Sequence, residues 1–386
     1  MAGAAWIDKE LAALGEQGLR RRRALREGCQ AATVVCDNRE LVNFGSNDYL
    51  ALAGDPRLAA AAVAAIAEAG VGSGASPLLT GRGVHHDRLE ARLAEFEGTE
   101  SALLFPSGYA ANLGTVAALV AAGDVVFADA KNHASLWDGC RLSRADVRVY
   151  PHGDTRALGR LLAQAAGYRR RLVATDGLFS MDGDLAPLAE LADLADRHDA
   201  MLLIDEAHAT GVLGNCGRGV AELLGVEDRG LIRVGTLSKA LGSAGGFVAG
   251  SRVLVEWLIQ RARPYIYSTA GPAGAAAAVL AALEIVAAEP QRRRELAARA
   301  DGLRQALAGQ GWNLGRSASQ IIPVIVGRPD RAVALSGRLR AKGLLLPAIR
   351  PPTVPEGQAC LRISLTWGHT EPMIAALVGA MAEAFT

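Results

Sequence analysis

Between Ser101 and Gly250 the apolar residues follow two alternating rhythms, short unbroken runs and longer stretches at helical spacing. The runs predict strands at 102–105, 125–128, 147–150, 172–175, 201–204, 231–234 and 245–250. The spaced stretches predict helices at 109–121, 133–142, 155–166 and 187–198. Such alternation implies an α/β fold: a mostly parallel seven-stranded sheet between helices, with ligands at the C-terminal strand ends. Upstream, helical spacing covers 11–26 and 56–68, and a β pair at 33–36 and 41–44 brackets a turn. A small-residue loop fills 70–83, after which His85 and His86 open a helix. Adjacent histidines point to different faces, so capping or packing fits them better than a shared metal.

Beyond Ile266 the pattern changes to two long helices, then strands at 320–326, 344–347 and 361–365 with helices at 330–342 and 371–384. This predicts a smaller α+β C-terminal domain. The expected division is residues 1–50 as an N-terminal helix and β segment, 51–285 as the large α/β domain, and 286–386 as the C-terminal domain.

Composition narrows the class. The chain has 386 residues, a formal net charge of +1 and 50% hydrophobic residues, which offers no general affinity for nucleic acid. Its five cysteines are scattered and never closely paired, so a disulfide framework or metal site is not expected and a reducing cytoplasm fits. Charges interrupt the N-terminal stretch where a secretory signal needs an apolar core. The most apolar run, 272–288, is too short to span a membrane and contains Glu284.

The chemistry gathers around Lys239, in LIRVGTLSKALGSAGGFVAG between two strand patterns. Thr236 and Ser238 add hydroxyls suited to an anion. A nucleotide-binding loop has glycines before its lysine, whereas here they follow it. The remaining readings are a Schiff base with a phosphorylated aldehyde cofactor, or a solvated turn. Other strand ends bring Ser107-Gly108-Tyr109, whose helix N-terminus is a phosphate seat, together with His133, Asp205 and His208. Asp205 at the tip of a buried strand suits a protonated ring nitrogen, although taken alone an N-cap or ion pair explains it better, as a satisfied loop imidazole does His208. The combination is far more specific than any member.

The segments FPSGYAANLG, TDGLFSMDGDLAPL, LIDEAHATGVLG and VGTLSKALGSAGG resemble the motifs of the fold-type I pyridoxal-phosphate enzymes, and among them the α-oxoamine synthases. The resemblance runs nearly the whole chain and implies pyridoxal 5'-phosphate as cofactor. It implies that Lys239 bonds the cofactor, Asp205 holds the ring nitrogen, His208 contacts the ring hydroxyl, and His133 stacks on the ring with Ser180 nearby. Gly108, Tyr109, Thr236 and Ser238 would serve the phosphate or ring, and Thr269 would reach the phosphate of a neighbouring subunit in a homodimer with shared active sites. Arg21, Asn47, His133, Thr353 and Arg362 match substrate-side positions, Arg362 for the amino-acid carboxylate. Asp176 stands where some relatives have Glu.

The implied reaction is a decarboxylative condensation of an amino acid with an acyl thioester. Residues 265–269 (YIYST) and 348–355 (AIRPPTVP) favour L-alanine and a pimeloyl thioester, carried by coenzyme A or an acyl carrier protein. Arg350 or the run Arg20 to Arg23 would meet the distal carboxylate. Relatives using glycine or serine, and aminotransferases, share the core residues and stay open as alternatives.

Overall fold

The computed structural model describes residues 4–21 and 23–385. Its strands in chain order are β1 (Arg26–Glu27), β2 (Thr33–Cys36), β3 (Arg39–Asn43), β4 (Ser101–Phe105), β5 (Val125–Asp129), β6 (Asp146–Tyr150) and β7 (Arg171–Asp176). They continue with β8 (Met201–Asp205), β9 (Ile232–Thr236), β10 (Gly246–Gly250), β11 (Ile321–Gly327), β12 (Leu344–Leu345), β13 (Ala348–Ile349) and β14 (Ala359–Ser364). The chain divides into two compact units, one of residues 47–180 and 184–296, the other of 1–46, 181–183 and 297–386.

The larger unit is built on a seven-stranded sheet in the order β4-β10-β9-β8-β7-β5-β6. All pairs are parallel except those of β10, which runs antiparallel between β4 and β9. Strands β5, β9 and β10 are buried at every position, as expected of strands covered on both faces. Helices Gly108–Leu119 and Ala134–Ser143 supply part of that cover, and Val116, Leu136 and Cys140 pack with Val126, Leu172 and Val234 in the core.

In the smaller unit, β11, β14 and β13 form an antiparallel sheet, and β1-β2-β3 are joined by β12, which pairs parallel with β3. Phe44, just beyond β3, stacks on the buried ring of His369 with centroids 4.4 Å apart.

The N-terminal helix differs from expectation. It spans Ala5–Glu16 rather than 11–26, because Gly15 is followed by Gly18 at φ +66°, a left-handed residue that ends a helix. Arg20, Arg21 and Arg23 therefore lie in irregular chain, and Arg22 falls outside the described residues. The loop 70–83 holds a turn of π-helix at Pro77–Gly81. The helix Arg252–Arg261, unforeseen from the pattern, is capped by Ser251, whose hydroxyl accepts from Leu254 N at 3.2 Å. His86 caps as expected: its Nδ1 accepts from Gly83 N at 3.1 Å, and its Nε2 lies 2.7 Å from Gly271 O.

Candidate active site

Lys239 lies in the loop joining β9 to β10. Buried Leu237, Ala240 and Leu241 anchor that loop, and Leu237 N to Gly245 O at 3.0 Å closes it. Gly242, at φ +67°, has no room for a side chain, since a Cβ there would come within 2.6 Å of backbone at Leu52 and Ala53. The lysine is thus half-buried and held, with Nζ 2.8 Å from His208 Nε2. His208 Nδ1 lies 2.6 Å from the Tyr49 hydroxyl, which donates to Asn47 Oδ1 at 3.1 Å. With that hydroxyl donating onward, it accepts from His208 Nδ1–H and leaves the Nε2 lone pair facing the lysine amine. The chain of contacts fixes the histidine tautomer.

Asp205 ends β8 and is 4% exposed. Its Oδ1 accepts from Ala207 N at 2.8 Å and its Oδ2 from Asn112 Nδ2 at 2.5 Å. Asn112 Nδ2 also lies 2.9 Å from Ser135 Oγ, which is 2.7 Å from His133 Nδ1. Beside Asp205 in register sits Asp176, fully buried at the end of β7. Burial first, and the neighbouring Asp205 charge second, push the Asp176 carboxyl well above the usual carboxylate range. Its Oδ2 accepts from His133 N at 2.7 Å. The His133 ring is pushed down by desolvation first, with the Lys239 charge adding to the effect and Asp205 and Asp138 opposing it.

Where β4 meets helix Gly108–Leu119, Ser107 caps the helix by accepting from Ala110 N at 3.1 Å. Thr236 Oγ1 and Ser238 Oγ are 2.8 Å apart beside it. A Cβ on Gly108 would come within 3.2 Å of Thr236, and one on Gly246 would strike Gly108. Glycine alone keeps these backbones close around a cradle of amides and hydroxyls. Tyr109 is exposed, donates to Asp138, and presents its ring edge-on to His133 with centroids 6.4 Å apart.

An amine, a buried carboxylate at a central strand end, an imidazole face and an anion cradle make the donor set that pyridoxal phosphate requires, and the residues fit it. Lys239, Asp205, His208, His133, Gly108, Tyr109, Thr236 and Ser238 all belong to this cluster of strand-end loops. Ser180 is half-buried in the loop after β7, and Thr269 is exposed after the short helix Arg263–Tyr267. In the smaller unit, Arg362 is buried on β14 with Nη1 donating to Ser364 Oγ at 2.7 Å, and Thr353 and Arg21 are exposed. Sequence reasoning missed Asn112 and Ser135, whose only signal was a buried-type asparagine inside the otherwise apolar run AANLG; Tyr49 lies in the polar stretch 45–50 just after a strand, where ligand contacts are expected to gather. Among the described residues no group of three or more acidic, His or Cys side chains is placed to hold a metal.

The family profile described as aminotransferase class I and II matches residues 39–381. The 8-amino-7-oxononanoate synthase of Anaeromyxobacter dehalogenans (strain 2CP-1) is 52% identical over 98% of this chain and 94% of its own, and that of Azoarcus sp. (strain BH72) 50% over 94% and 93%. Among solved structures, a serine palmitoyltransferase from S. paucimobilis with a bound PLP–myriocin aldimine superposes with TM-score 0.94 at 31% identity, covering 99% of this chain and 97% of that one. The 8-amino-7-oxononanoate synthase from Francisella tularensis gives TM-score 0.77 at 29% identity over 89% and 97%. Fold and site define a pyridoxal-phosphate-dependent transferase of fold-type I, and the chain belongs to the class I and II aminotransferase family. Within it, the relatives at half identity along almost the whole chain place it in the 8-amino-7-oxononanoate synthase family of acyltransferases.

Proposed function

We propose that the protein condenses L-alanine with a pimeloyl thioester, releasing coenzyme A or a carrier protein and carbon dioxide and giving 8-amino-7-oxononanoate for biotin synthesis. The observation that carries this conclusion is Lys239 Nζ held 2.8 Å from His208 Nε2, with the buried Asp205 at the end of the strand beside β9. Pyridoxal phosphate, when bound, supplies an electron sink for the carbanion formed at the alanine Cα. Asp205 holds the ring nitrogen, Thr236, Ser238 and the helix N-terminus at Gly108 hold the phosphate, and His133 covers the ring face, with Tyr109 and Ser180 beside it. Lys239 Nζ takes the alanine α-proton and returns a proton after decarboxylation, while His208 accepts a hydrogen bond from the amine and keeps it aimed.

Arg362 serves the amino-acid carboxylate, and Asn47 and Thr353 serve the substrate. The distal pimeloyl carboxylate meets the cationic end of the smaller unit. Arg350 donates there to the carbonyl of Gly18, which brings its guanidinium beside the segment carrying Arg20 and Arg21. The working form is a homodimer, in which Thr269 reaches the partner's phosphate. Val63, Val71 and Leu79, exposed at 66%, 73% and 78% on the larger unit, are apolar side chains that a partner subunit would cover. A cytoplasmic location belongs to the same proposal, in keeping with five free cysteines.

The test is release of free coenzyme A thiol by cofactor-loaded protein given pimeloyl-CoA with L-alanine, glycine or L-serine. Release is expected with L-alanine only and is lost in Lys239→Ala. Release with glycine or serine instead would overturn the substrate.

A further inference from the structure

Two buried side chains tie the exposed ring platform, His133, to the ring-nitrogen partner. Ser135 and Asn112 are 0% and 2% exposed, deeper than His133 itself. The directions of their hydrogen bonds are fixed by chemistry. A backbone N–H only donates, and Ser135 N points at His133 Nδ1 at 3.3 Å, so that nitrogen presents its lone pair. In doing so it caps helix Ala134–Ser143, a task a protonated Nδ1 cannot perform. An amide NH2 likewise only donates, so Ser135 Oγ accepts from Asn112 at 2.9 Å and turns its own proton toward Nδ1 at 2.7 Å. The other Asn112 bond runs to Asp205 Oδ2 at 2.5 Å.

We propose that Asn112 and Ser135 are positioning residues that lock His133 as the neutral tautomer with its proton on Nε2 and tie that ring to Asp205 through one buried hydrogen-bonded relay. His133 then acts as a fixed platform and an Nε2–H donor rather than as a proton shuttle. The groups facing it agree: the Lys239 charge and the helix N-terminus disfavour a second proton, while Asp205 and Asp138 favour it and desolvation outweighs them. The Asp176 carboxyl binds the His133 main chain and leaves the ring nitrogens to the relay.

The consequence for catalysis rests on the proposed reaction, but the tautomer does not, so the two fail separately. The full-length protein labelled with 15N at its seven histidines is measured by imidazole nitrogen NMR at neutral pH, with and without pyridoxal phosphate, His133→Gln assigning the signal. Nδ1 is expected to resonate as an unprotonated acceptor and Nε2 as protonated, in both states. Ser135→Ala should shift the tautomer populations and raise the ring pKa, whereas Ser135→Thr, which keeps the hydroxyl, should restore both. A protonated Nδ1 in the unaltered protein would overturn the proposal, whether or not any variant folds. So would a Ser135→Ala variant with a melting temperature like the parent and an unchanged His133 spectrum. A tautomer found as expected in a protein that turns over L-alanine with neither pimeloyl-CoA nor a pimeloyl carrier protein would leave the relay standing and sink the substrate assignment alone.

Discussion

His152 carries a charge that the reaction does not use. Its Nδ1 lies 3.0 Å from Asp129 and its Nε2 2.9 Å from Asp184, with the Phe179 ring edge-on at 4.4 Å. Burial works against the imidazolium, but the hydrogen bonds and charges of the two carboxylates outweigh it and hold the ring raised to about 9. A histidine whose folded pKa exceeds its unfolded value near 6.5 stabilises the fold fully below 6.5, and this is lost as pH rises through 9. His152→Gln is therefore expected to cost on the order of 2 kcal/mol in urea unfolding at pH 6 and much less at pH 10. Equal losses at both pH values would refute the ionic account. The neighbouring loop carries Ser180, so the clamp links a titrating group to the end of β7 where Asp176 sits. Nothing in the spacing of His152, Asp129 and Asp184 pointed to this bridge, because it is made only when β5 and β6 lie side by side.

The seven strands of the large sheet were legible to within a residue or two because strands buried on both faces read as unbroken apolar runs, as β5 and β8 do, whereas the two-residue strands β1 and β13 were not foreseen. Helix Arg252–Arg261 escaped notice because only Val255 and Leu258 are buried on it and Val253 is exposed, leaving a weak stripe. The antiparallel insertion of β10 was also hidden, since a run such as GGFVAG carries no direction. That insertion matters for the cradle: Gly246 pairs with Thr236 on one side and Phe105 on the other, and its Cα faces the Ser107–Gly108 turn. Gly246→Ala should push the helix N-terminus away from Thr236. We expect the affinity for pyridoxal phosphate to fall by roughly tenfold, about 1.4 kcal/mol, in an absorbance titration. Unchanged affinity would mean that the amides at Gly108 do not bear on the phosphate. The site's charged and nucleophilic members were readable because they sit at or just beyond the ends of recognisable strands; of its neutral supports, Ser135 lies in the first turn of its helix and Asn112 inside an apolar run, where neither makes a pattern of its own.

At the scale of the whole chain, the smaller unit is assembled from sequence ends some 300 residues apart, as in the pairing of Leu344 with Val42. A two-residue strand such as β12 has no periodicity, so no pattern in the sequence announces its partner. The first 46 residues therefore act as part of the fold of the last 90. Phe44 is the residue on which this depends most directly. It is fully buried, stacks on His369, donates its N–H to Leu345 O at 3.0 Å and accepts from Ser364 N at 2.8 Å. One residue thus closes the seam, its main chain binding Leu345 and β14 and its ring packing on His369. Burial pushes His369 down to about 4, so it packs as a neutral ring that can lie flat on the phenyl face. Phe44→Ala would leave a cavity under that ring and is expected to cost about 3–5 kcal/mol, read as a lowered urea midpoint at unchanged slope. Arg362, proposed above for the amino-acid carboxylate, lies on β14, two residues from Ser364. On the proposed reaction, the same variant should then raise KM for L-alanine more than it lowers kcat. A stability loss with KM for alanine untouched would separate the seam from the substrate site and leave it a purely structural closure.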